Sequence, residues 1–113
     1  MKRITRLEWC DAITWALATD RITDGAALTG YRLATLMDWK SDLGSGEIKN
    51  KNAVIAETLG ISDRTMRRNT SVLKAAGLMV ITPGYKGYEN LAASLPSDIH
   101  QIKREFDEHR AEV

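Results

Sequence analysis

Three arginines fall within five residues in GISDRTMRRN, residues 60–69. A guanidinium carries its donors in a planar fork, which fits two phosphate oxygens or the O6 and N7 edge of a guanine. Thr65 and Asn69 stand among Arg64, Arg67 and Arg68; the amide suits an adenine edge, and the threonine a thymine methyl or a phosphate. Ser71 and Lys74 follow on the same run, and Tyr85 with Lys86 in PGYKG adds a second polar point further on. This is chemistry for holding a polyanion, not for breaking bonds. The chain has no phosphate-binding glycine loop, no histidine beside a plausible nucleophile and no carboxylates at metal-ligand spacing, so neither an enzyme nor a cofactor is expected. Cys10 is the single cysteine, which rules out an intrachain disulfide and a cysteine-based zinc site. His100 and His109 lie on opposite sides of any helix that holds both, so no shared metal site is expected.

The 113 residues carry a net charge of only +1, but the charge is unevenly placed. Residues 49–86 hold Lys49, Lys51, Arg64, Arg67, Arg68, Lys74 and Lys86 against Glu57 and Asp63 alone. The flanking stretches are both net negative. Clustering matters more than the total, because a basic patch attracts phosphate over about a Debye length, roughly 8–10 Å at ordinary salt. Length and composition suit one globular domain over residues 1–113. No apolar run is long enough for a membrane span, and the start lacks the apolar core of a signal peptide. A cytoplasmic, nucleoid-associated protein is the expectation, with no membrane partner and no small-molecule ligand.

The elements that must position the arginines follow from spacing. Leu7, Cys10, Ile13 and Leu17 share one face of a helix over 7–19. Thr23 caps a second, whose apolar surface comes from Ala26, Ala27, Leu33, Ala34, Leu36 and Met37; together the N-terminal helices occupy 7–42. SDLGSGEIKN reads as a loop. A short helix spans 52–59, Gly60 turns the chain, and Ser62 caps a helix from Asp63 to Ala76 that Gly77 ends. Met66 and Leu73 anchor that helix underneath, leaving Thr65, Arg67, Arg68, Asn69 and Ser71 to face outward. LMVIT, PGYKG and YENLA read as a β-hairpin with Lys86 near its tip. After Pro96 a helix over 97–112, capped by Ser97 or Asp98, carries an apolar stripe of Ile99, Ile102 and Phe106.

Helix, tight turn, helix and hairpin over residues 50–92 resemble the winged helix-turn-helix domains of bacterial, plasmid and phage transcriptional regulators and replication initiators. The residues that carry the resemblance are Ile55, Ala56, Leu59, Gly60, Ile61, Ser62, Thr65, Met66, Arg68, Leu73, Gly77 and Leu78. Two positions depart from that pattern. Thr70 stands where the family has leucine, and Asp63 places an anion at the helix start, where it repels phosphate.

The resemblance implies a mainly α fold with a small β wing, whose second helix lies in the major groove of double-stranded DNA. Ser62, Arg64, Thr65, Arg67, Arg68, Asn69, Ser71, Lys74, Tyr85 and Lys86 are then the expected contacts. Arg67 and Thr65 would read bases, Arg64 and Arg68 would clamp the backbone, and Tyr85 with Lys86 would meet the minor groove or flanking phosphates. The implied role is a transcriptional regulator that represses by covering a promoter. A plasmid or phage replication or partition factor is the alternative, as is an adaptor that keeps the fold to bind a protein. Pairing of two copies through Ile99, Ile102 and Phe106 is expected, with docking of that stripe on the N-terminal helices as the competing arrangement. Trp9, Trp15 and Trp39 lie away from the basic run and are expected in the core or at a subunit interface.

Overall fold

The structure is a computed structural model that describes residues 4–40, 46–50, 52–84 and 89–111. Two helices, α1 (Arg6–Ala18) and α2 (Asp24–Leu36), lead into a short strand β1 (Glu47–Asn50). Helices α3 (Asn52–Leu59) and α4 (Asp63–Ala75) come next, then strands β2 (Met79–Pro83) and β3 (Glu89–Ala93), and finally α5 (Ile99–Ala111). The protein is therefore mainly helical with one small antiparallel sheet.

Each early helix starts on a side-chain cap. Thr5 and Glu8 form a reciprocal capping box on α1, and the Thr23 hydroxyl accepts from the Ala26 amide at 3.2 Å on α2. Three helices stop in the same way. After α1, α3 and α4, Asp20, Gly60 and Gly77 adopt positive φ (60°, 72° and 79°), and paired backbone bonds close the last turn. For α3 these bonds run from Gly60 to Glu57 (3.1 Å) and from Ile61 to Ala56 (3.0 Å). For α4 they run from Gly77 to Lys74 and from Leu78 to Leu73.

Residues 47–50 correct the reading of SDLGSGEIKN as a loop throughout: they form the edge strand β1. The sheet order is β1-β3-β2, so the hairpin gains a third strand that precedes α3 in the chain. Register places Ile48, Leu91 and Ile81 in one row and Met79 beside Ala93. Ile48, Leu91, Met79 and Ala93 are buried on the face toward the helices, while Val80 and Thr82 alternate to solvent.

That face and the helices enclose one core containing Trp9, Ile13, Leu33, Met66, Leu73 and Leu78, each essentially inaccessible. The Trp9 indole donates to the Leu78 carbonyl at 2.7 Å, which ties α1 to the junction of α4 and β2. Gly30 lets α1 and α4 close on α2, since a Cβ there would lie 2.8 Å from Ile13 Cδ1 and 3.6 Å from Leu73 Cδ1.

Helix α5 docks on α1. The Asp98 carbonyl accepts from the Ile102 amide, which places Asp98 at the cap. Ile102 is 1% exposed within its own chain, Phe106 lies beside Trp15 with ring centroids 6.4 Å apart, and Ile99 packs against the core. Of the stripe expected to pair two copies, Ile102 is thus buried within its own chain, while Ile99 and Phe106 are half-buried against it. Arg21, just after α1, donates to Glu105 at 2.7 Å. That bond, with a second from Gln101, holds the Glu105 carboxyl below the usual carboxylate range. None of the helices among the described residues is long and apolar enough to cross a membrane.

Candidate nucleic-acid interface

Helix α4 is held from beneath by α2 and α3 and continues into β2. Its buried residues are Met66, Asn69, Thr70 and Leu73, which at 100° per residue occupy an arc of about 100°. Lys74, Arg67, Ser71, Arg64, Ala75 and Arg68 fill the opposite arc of about 120°, and all six are exposed. Four cations, one hydroxyl and one methyl thus make up the outer face of the helix.

The start of α4 is tightly specified. Gly60 takes φ +72° with nothing within 4 Å of where a Cβ would sit, so backbone conformation and not space demands glycine there. Ile61 is half-buried against the core and sets the angle between α3 and α4. The Ser62 hydroxyl accepts from the Thr65 amide at 3.0 Å and also lies 2.9 Å from the Thr65 hydroxyl. Ser62 is therefore occupied as a cap, and half-buried Thr65 is oriented by it. The Arg32 guanidinium reaches from α2 to the Leu59 carbonyl at 3.4 Å and satisfies one acceptor at the end of α3.

Arg64, Arg68 and Lys74 have no ion-pair partner among the described residues. Arg67 has one: its Nε lies 3.2 Å from Asp63 Oδ2, four residues earlier. Spacing alone makes that pair readable. An exposed i,i+4 pair contributes about 0.3–0.5 kcal/mol, weak enough to yield to a stronger anion. The Arg67 side chain is 66% exposed, and the pair engages Nε and not the terminal nitrogens.

Asn69 corrects the expectation of an outward, base-reading amide. It is 6% exposed, and its Nδ2 donates to the Thr29 hydroxyl of α2 at 2.8 Å. Thr70, in the place where a leucine was the pattern, is equally buried, and its hydroxyl donates back to the Arg67 carbonyl at 3.2 Å. Helix α4 thus sits on α2 through two satisfied polar side chains between two apolar ones. Tyr85 and Lys86, with Lys51, lie outside the described residues.

Chemically, this face can donate many hydrogen bonds to anionic oxygens or to acceptor atoms of base edges. It offers nothing that would activate a nucleophile. Among the described residues no cluster of three or more histidine, cysteine, aspartate or glutamate side chains is arranged to hold a metal ion. Burial pushes the half-buried Cys10 thiol above its ordinary pKa, away from the reactive thiolate. His100 and His109 are exposed on α5. No protein-family model matches the chain, and comparison with curated proteins and with solved structures gives no match either.

Proposed function

We propose that the chain is a winged helix-turn-helix protein that binds double-stranded DNA through the outer face of α4 and regulates transcription by covering promoter DNA. One observation carries this reading. The helix after the tight turn presents Arg64, Arg67, Arg68 and Lys74 on the arc opposite its buried side, with Asp63 as the sole acid on the helix. An α-helix with such a face fits the major groove, where arginine forks meet guanine edges and phosphates. The hairpin next to it, extended by β1 into a three-stranded sheet, corresponds to the wing. A solvated surface helix is the plain alternative; its packed underside already sends charges to the outer arc, but gives no reason for four of them to share one sign.

The triple substitution of Arg64, Arg67 and Arg68 by alanine tests the reading. All three side chains are exposed, so the helical spectrum and the melting curve should stay close to wild type while retention on duplex DNA is lost. Wild-type affinity should fall with salt at a log–log slope of about −0.9 per phosphate neutralised. A triple variant that binds duplex as well as wild type would remove α4 from the interface.

A further inference from the structure

Arg67 is the one cation on the α4 face with an ion-pair partner among the described residues, and the atom that Asp63 engages is Nε. A guanidinium meets the O6 and N7 edge of guanine either end-on, through its two terminal nitrogens, or side-on, through Nε and one of them. With Nε occupied, only the end-on approach leaves both donors free. The carboxylate itself is constrained: Oδ1 is closed off by protein with no hydrogen-bond partner, while Oδ2 faces Arg67. Arg67 Nε therefore faces a single acceptor, in an exposed pair that biases the side chain's heading without locking it. Any acid at this position would favour the helix start through the dipole. What Asp63 adds is a hold on one arginine in the middle of an otherwise cationic surface.

From this geometry we infer that Asp63 is a positioning residue, which aims Arg67 end-on at one base and makes the preferred target a duplex with guanine at that position. The inference rests on the DNA-binding reading above. It also gives the anion a use. A carboxylate near the backbone weakens binding to every duplex alike, and an arginine tied to that carboxylate is drawn away from phosphates toward a base edge. Asp63 on this account lowers affinity for arbitrary DNA and raises discrimination.

The test selects bound duplexes from a randomised library with the full wild-type chain. It then titrates duplexes that differ only at the preferred position, for wild type, Asp63→Asn and Arg67→Lys. Wild type is expected to prefer guanine at one position by about tenfold or more. Asp63→Asn should cut that preference about twofold, the worth of an exposed ion pair, and bind arbitrary duplex more tightly, with a salt slope steeper by up to about 0.9 as Arg67 turns to a phosphate. Arg67→Lys keeps the charge and loses the fork, so it should lose the guanine preference while holding the salt slope. Melting curves for both variants separate these effects from misfolding. A guanine preference undiminished in either variant overturns the inference and leaves DNA binding intact, as does a wild type that binds duplex with no such preference. A wild type that binds no duplex in the library removes the DNA-binding reading itself.

Discussion

At Asn69, polarity and position disagree, and position decides. Met66, Asn69, Thr70 and Leu73 follow the i, i+3, i+4, i+7 spacing of a buried stripe, and the structure buries all four. Reading the amide as outward gave chemical type precedence over spacing. The stripe tolerates it because Thr29 supplies an acceptor 2.8 Å away on α2, and a pairing between helices has no local signature in the chain. Met66 and Leu73, by contrast, were legible because type and spacing agree. Asn69→Ala should therefore destabilise the fold by about 1–3 kcal/mol, by stranding the Thr29 hydroxyl and opening a small void. Its base preference on duplex DNA, measured below the unfolding transition, should match wild type. A changed preference at unchanged stability, read from urea midpoints and duplex competition, would return this side chain to the groove.

Among the elements, the helices were legible and β1 was not. Caps at Thr23 and Ser62 and stops at Gly60 and Gly77 are local signals, and each holds within a residue or two of the observed ends. Strand β1 holds one buried apolar residue, Ile48, beside a glycine- and serine-rich stretch, and its partner is β3, far along the chain. An edge strand of this kind is recruited by backbone pairing, which leaves little trace in side chains. The two glycine stops make a graded prediction. At Gly60 a Cβ meets open space, so Gly60→Ala carries backbone strain alone, about 1–2 kcal/mol. At Gly77 the same φ penalty applies and the Cβ also lies 3.2 Å from Pro96 Cα, a tight contact that only a shift of backbone relieves. Gly77→Ala should lower the urea midpoint more than Gly60→Ala, and Gly60→Asn should cost less than either, because asparagine tolerates the left-handed region. Equal midpoints for the two alanine variants would mean that the chain at Pro96 yields.

On the scale of the whole molecule, the N-terminal helices are structural partners of α4 and not an appendage to it. The underside of α4 rests on α2, the Asn69 amide bonds to Thr29, and the Trp9 indole donates to the Leu78 carbonyl where α4 gives way to β2. Remove residues 1–45 and Met66, Leu73 and Leu78 lose apolar neighbours, while Asn69 loses its partner Thr29 and the Leu78 carbonyl keeps only the Ser94 amide. A buried Met or Leu contributes about 1.5–3 kcal/mol when fully covered, so exposing three of them is comparable with the whole reserve of a small domain, about 5–15 kcal/mol. A chain that starts at residue 46 should accordingly show weak helical signal and no cooperative melting, although it contains the entire helix pair and hairpin. Trp9→Phe in the full chain isolates one part of this coupling: ring packing largely persists, but the Leu78 carbonyl loses one of its two donors and keeps the Ser94 amide, at a cost of about 0.5–1.5 kcal/mol. Because that carbonyl lies just beyond α4, hydrogen exchange in the Trp9→Phe variant should accelerate in the last turn of α4 and in β2 before it does in α5. Cooperative melting of the shortened chain, or exchange that rises evenly across the molecule, would make the helix pair and hairpin a self-sufficient unit and leave α1 and α2 free for another task.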